Sequence, residues 1–215
     1  MIVKKDGSMT NTQMINVLNV CYDKALSGVP LVSESVSELA EEYMKKHLDT
    51  NVAVDKLVKN QIMKCGTSGF LTGLGGLITL PIAIPANLSS VIYVQLRMIA
   101  CIAYMGGYKP SDDEVRTLAY VCLTGTACAD ILKRSGIVIG EKITTNLIKK
   151  IPGTVLIRIN QRVGFRMLTK FGTKGAINIG KMVPVVGGVI GGGFDVASTR
   201  IIAKNAKKVF IEGIL

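Results

Sequence analysis

Arg97 is the one charged side chain between Cys65 and Lys109. A guanidinium in so apolar a run has two chemical uses. It can pair inside a core with an acid or with backbone carbonyls, since an unpaired buried charge costs several kcal/mol. Or it can grip an anionic ligand through its planar fork of donors. Asp130 and Asp195 stand in apolar neighbourhoods and are the acids the sequence offers; Gln95, two positions before Arg97, adds an amide. The expectation is a structural ion pair. A hydrolase-like site at Arg97, Asp130 and Asp195 is the alternative.

Other chemistry is thinly represented. His47 lies in the charged run EEYMKKHLD and reads as a surface residue. Ser68, in Gly66-Thr67-Ser68-Gly69, lacks the G-x-S-x-G context of an elbow nucleophile. Cys21, Cys65, Cys101, Cys122 and Cys128 are odd in number, include no CxxC pair and stand away from the single histidine. They read as reduced, packed thiols rather than disulfides or zinc ligands. Gly73-Leu74-Gly75-Gly76 lacks the Lys-Ser/Thr that completes a P-loop. The sequence assigns no catalytic residue, cofactor or metal ligand.

The cations are more telling. Residues 1–132 carry 11 Lys/Arg against 12 Asp/Glu, net −1, while residues 133–215 carry 15 against 3, net +12, which together make the chain's +11. Arg158, Arg162, Arg166 and Lys170 recur every four residues and make one stripe of a helix, with Val155, Ile159, Val163 and Phe165 to Leu168 as its apolar part. Lys204, Lys207 and Lys208 repeat the theme. A basic amphipathic helix suits an anionic lipid surface, at about 1 kcal/mol per cation close to it. Nucleic acid attracts the same stripe. It is the weaker candidate, because Phe165 is the only aromatic beside the stripe and no nucleic-acid module is recognised.

The elements that carry these groups read as helices throughout. Apolar residues recur at three and four spacing over Thr10–Leu26, and again at Val36, Leu39, Ala40 and Tyr43 after a cap at Ser33 or Ser35. Glu41–Lys45 and Glu42–Lys46 are i,i+4 pairs in the favourable order. A third helix starts after Asp49–Thr50, a fourth covers Ala86–Met105, and Ser111-Asp112-Asp113-Glu114 reads as a capping box. The helix it opens is expected over Asp112–Lys133, followed by Val138–Lys150, Thr154–Phe171, Thr173–Lys181 and Asp195–Phe210. Residues 65–96 contain no charge, but Pro81, Pro85 and five glycines within residues 66–76 interrupt them. Glycines four apart (Gly69/Gly73, Gly187/Gly191, Gly188/Gly192) allow close helix approach, in a membrane or a dense core. No sustained period-2 alternation is present, so an all-α bundle of about eight helices is expected, with two glycine-rich apolar hairpin segments. Residues 1–48 supply amphipathic helices that pack on a core built from 49–215, all in one continuous domain.

The run TGLGGLITLPIAIPANL, then Gln95-x-Arg97, then Tyr104 with Gly106–Tyr108, resembles the EcsC protein family of bacteria, and VPVVGGVIGGGFD resembles its second glycine motif. The likeness covers about residues 50–212. It implies a helical bacterial protein, often encoded beside an ABC transporter, with links to export and membrane processes; it brings no catalytic residues with it. The MIVKKDGSMTN start has no apolar stretch of the signal-peptide kind. The expectation is therefore a non-enzymatic protein on the cytoplasmic side. It docks peripherally on the inner face of the membrane, on anionic phospholipid or on a membrane protein such as an ABC transporter. A membrane-permeabilising effector is a further alternative.

Overall fold

A computed structural model of the chain describes residues 9–66, 86–138, 140, 142, 144–171 and 189–214. Among these the structure is all-α: no strand occurs, and only two isolated bridges pair extended residues, Val29 with Ser33 and Lys142 with Ile214. The helices are α1 (Asn11–Ser27), α2 (Val36–Lys46), α3 (Thr50–Gly66), α4 (Ala86–Met105), α5 (Asp113–Leu123), α6 (Cys128–Arg134), α7 (Thr145–Ile148), α8 (Gly153–Phe171) and α9 (Val189–Phe210), with a 3-10 turn at Gly125–Ala127. The two glycine-rich hairpin segments and the expected helix Thr173–Lys181 lie outside the described residues, apart from the start of α9.

Local chemistry fixes the first two helix starts. Thr10 accepts from the Gln13 backbone while the Gln13 side chain accepts from the Thr10 N–H, and Ser35 and Glu38 repeat that reciprocal capping at α2. The capping box expected at Ser111 does not form. Helix α5 begins at Asp113 with Asp112 as its N-cap, which places Ser111 outside the helix and Glu114 a position too early to reach back. Asp113 and Glu114 still sit in the first turn, where the helix dipole favours negative charge.

Helix α4 is the hub. Residues 89–103 are buried without a break, and α4 touches α1, α2, α3, α5 and α9. A helix apolar on every side is stable in water only when other helices enclose it, and that is why residues 89–103 present no polar face to solvent. Helix α9 runs parallel to α4: Gln95 donates to Thr199 at 3.0 Å, and Gly106 lies against the Phe210 carbonyl. Helix α3 joins them through the Lys207–Asp55 ion pair, 2.6 Å.

Helix α1 is bound to α5 by an aromatic cluster. Tyr22 and Tyr120 meet edge to face with centroids 5.6 Å apart, the Arg116 guanidinium lies 5.2 Å from the centre of the Tyr22 ring, and Arg116 pairs with Asp23 at 2.8 Å. The Tyr22 hydroxyl donates to the Pro110 carbonyl and that of Tyr120 to Asn19. Burying these large rings contributes about 2 kcal/mol each, and the hydroxyl bonds remove the polar cost.

Two expected helices differ. The long helix over Asp112–Lys133 breaks, because Gly125 adopts φ +66° and the chain turns by 119° between residues 113–123 and 125–134. The helix expected over Val138–Lys150 contracts to the single turn Thr145–Ile148, and residues 138, 140, 142 and 144 are not helical. The last helix begins at Val189 rather than Asp195. Among the described residues no single helix is long and apolar enough to cross a membrane; the bent pair 113–123 and 125–134 passes that test by length and composition.

Candidate functional site

Helix α8 carries the arginine stripe, and its geometry follows from which side is buried. Ile159, Val163 and Met167 are fully buried, and Gly164 lets α1 come close, with Asn11 donating to the Gln161 carbonyl at 2.8 Å. This turns Arg158 and Arg166 to solvent and leaves Arg162 half-buried between them. On the same outward side, Ile157 is 61% and Phe165 66% exposed. The exposed surface is thus apolar and cationic together. The side chain of Lys170 lies outside the described residues.

A groove of about 550 Å³ opens between α6 and α8, where Arg134, Arg162 and Arg166 face one carboxylate, Asp130. Asp130 is already held by Arg134 at 2.8 Å, and the Nε of Arg162 is buried with no acceptor among the described residues. Thr126 and Ala127 of the 3-10 turn line the same groove.

Helix α9 brings a second set of cations to the other side of that turn. Asn205 donates to the Gly125 carbonyl at 2.7 Å. The thiol of Cys128 is held below its ordinary value, first by the hydrogen bond with Cys122 and then by the nearby charge of Lys208, against the effect of burial. Lys204 and Lys208 are exposed. Lys207 is not available in the same way, because it is spent on Asp55 of α3. Arg200, four residues before Lys204, is exposed as well and completes a stripe at 200, 204 and 208 that the sequence reading missed. Its i,i+4 spacing was the available signal.

The Arg97 expectation is corrected as to Asp130. Arg97 is buried, but neither candidate acid is shown to meet it: Asp130 belongs to the groove just described, and the side chain of Asp195 lies outside the described residues. The Arg97 Nη2 instead donates to the Glu34 backbone carbonyl at 2.7 Å, with the Glu34 carboxylate 3.9 Å away. Glu34 follows a tight loop in which Val29 and Ser33 exchange backbone hydrogen bonds, a long-range neighbour that no spacing rule announces. Gln95, buried, donates to Thr199, and its oxygen has no donor among the described residues. The two residues of the Gln-x-Arg pair therefore serve different faces of α4.

Around Arg97 a second pocket of about 410 Å³ is walled by the 29–34 loop and Lys64. Lys64 is held below the usual lysine range, mainly by burial and then by the Arg97 charge. His47 ends α2 as its C-cap. The thiols of Cys21 and Cys101 are pushed up to about 12 by burial, so they stay protonated and are poor nucleophiles near neutral pH. No group of three or more His, Cys, Asp or Glu able to hold a metal occurs among the described residues.

An all-α bundle enclosing one central helix, with a basic amphipathic face, defines the class. The chain belongs to the EcsC protein family, whose model matches residues 2–212. The match takes in α1 and α2 as well as the stretch from residue 50 onward that carries the glycine motifs. Neither a curated protein nor a solved structure matches the chain.

Proposed function

We propose that this EcsC protein acts without catalysis by docking on an anionic phospholipid surface at the cytosolic side of a membrane, in support of an export or envelope process. The observation that carries this reading is the outward side of α8, where exposed Ile157 and Phe165 lie among Arg158, Arg162 and Arg166. A soluble face has no need of two large apolar side chains there. At a bilayer they enter the headgroup boundary while the guanidinium groups hold lipid phosphates. The cations of α9 at Arg200, Lys204 and Lys208 extend the attraction on the far side of the Gly125–Ala127 turn.

Co-flotation with vesicles tests it. The full chain should float with vesicles rich in phosphatidylglycerol, stay behind with phosphatidylcholine alone, and detach as salt screens the charges. Arg158→Gln with Arg166→Gln should weaken binding about thirtyfold, from about 1 kcal/mol for each of two cations. Phe165→Ser should weaken it with little change in salt dependence. Equal flotation with neutral and anionic vesicles would sink the proposal. Release of trapped dye would instead favour the permeabilising alternative.

A further inference from the structure

The free thiols among the described residues fall into two kinds. Cys21 and Cys101 donate to backbone carbonyls, those of Ser89 and Val36. Both are wholly buried, and burial pushes them up to about 12. Cys122 and Cys128 instead hydrogen-bond to each other. Cys122 is wholly buried, whereas Cys128 keeps 7% of its surface exposed. In that bond Cys122 holds its proton firmly, and Cys128 is the sulfur that gives its proton up more readily, with the charge of Lys208 close by.

The bend between α5 and α6 makes this meeting. In one continuous helix, residues six apart stand on different faces and about 9 Å apart along the axis. Here Cys122 lies in the last turn of α5 and Cys128 opens α6. Between them Gly125 takes φ +66°, the Cys128 N–H bonds to the Gly125 carbonyl, and the chain turns by 119°. Asn205 of α9 donates to the same carbonyl at 2.7 Å, and the Thr124 hydroxyl donates to the Val121 carbonyl at 2.6 Å, so the turn is pinned from two sides. Two sulfurs in hydrogen-bond contact are a small side-chain rotation from bonding distance.

We propose that Cys122 and Cys128 are a reversible redox pair, in which a hydroperoxide oxidises Cys128 and Cys122 resolves the product as a disulfide. With hydrogen peroxide, the Cys128 thiolate attacks one oxygen and the O–O bond breaks. The other oxygen leaves as hydroxide and takes up a proton to become water. Cys128 is then a sulfenic acid. The Cys122 sulfur attacks that sulfur, its proton goes to the departing hydroxyl group, and a second water leaves. The two thiols lose two hydrogens and two electrons, and the peroxide gains them. The bond formed ties α5 to α6 around the turn that separates the α6–α8 groove from the cations of α9. It is independent of lipid docking, so each reading can fail without the other.

The test treats the reduced full chain with hydrogen peroxide, then quenches, unfolds, alkylates with iodoacetamide and digests with trypsin. Residues 117–133 contain both cysteines and no lysine or arginine before Lys133, so one peptide carries the answer. That peptide is expected to lose two hydrogens and escape alkylation, and to regain both thiols with dithiothreitol. Its thiols should be lost at least about tenfold faster than those of Cys21 and Cys101, which stay protonated. Cys122→Ser should stop at a Cys128 sulfenic acid that dimedone traps, whereas Cys128→Ser should leave Cys122 unreactive. The wild-type peptide decides the matter even where a variant fails to fold. A peptide that remains alkylated at both cysteines, or that is oxidised no faster than Cys21 and Cys101, overturns the proposal. Dimedone labelling of Cys122 in Cys128→Ser at the rate seen for Cys128 overturns the assignment of roles.

Discussion

Gly106, the residue after the central helix, lies directly against Phe210 of the last one: a Cβ on Gly106 would collide with the Phe210 carbonyl oxygen. The obstacle is backbone, which cannot swing aside. Gly106→Ala is therefore expected to destabilise the fold by about 1–3 kcal/mol, the usual cost of overpacking. Gly164 gives the contrast. There the atom in the way is the Asn11 side-chain oxygen, which can rotate. Gly164→Ala loses about 1 kcal/mol with the Asn11–Gln161 bond and regains a similar amount in helix propensity. Urea melts of the two variants should show a lowered midpoint for the first and little change for the second.

Gln61 is 1% exposed, and among the described residues neither amide atom has a hydrogen-bond partner. A buried, unsatisfied amide costs about 1–3 kcal/mol. Gln61→Leu, nearly the same in volume, should raise stability by about 1 kcal/mol or more. A lower urea midpoint in that variant would show that the amide has a partner of its own.

The buried thiols set an alkaline limit. Cys21 and Cys101 are raised from 9.0 to about 12 by burial. Above pH 9.0 the unfolded chain releases these protons while the folded chain keeps them, so stability present below that point is lost as pH climbs towards 12. Near pH 10 the loss is about 1 kcal/mol for each thiol. Lys64 works in the opposite sense below its ordinary value of 10.5, but is only half-buried. Denaturant midpoints should fall from pH 8 to pH 10, and Cys21→Ala with Cys101→Ala should flatten that fall.

Lys207 should behave unlike its neighbours. Its pair with Asp55 is 63% exposed on the acid side, so Lys207→Gln is expected to cost under about 1 kcal/mol of stability. Because it is engaged with Asp55, the same change should alter vesicle flotation less than Lys204→Gln or Lys208→Gln. An equal or larger loss with Lys207→Gln would show that lipid competes successfully for it.

What the sequence announced was local in origin. The α2 cap, expected at Ser33 or Ser35 and found at Ser35, the Glu41–Lys45 and Glu42–Lys46 pairs and the arginine spacing on α8 depend on residues three or four apart, and all are found. The misreadings needed information from elsewhere in the chain. Asp130 was a fair acid for Arg97 by environment, but its own helix supplies Arg134 one turn on, and the 29–34 loop supplies Glu34 across the fold. Apolar periodicity ran straight through Gly125, whose left-handed backbone splits the helix while its carbonyl is captured by Asn205. The basic segment before Pro152 had helical composition but only one turn forms, and Lys142 instead pairs with Ile214 near the other end.

The Gln95–Thr199 bond joins residues 104 positions apart, and the Asp55–Lys207 pair joins residues 152 apart. Closing loops of that length is entropically slow, so assembly must wait for distant segments to find each other. On a ribosome the central helix emerges long before its last neighbour. Its apolar flank is then open to chaperones until residues 189–210 have been made.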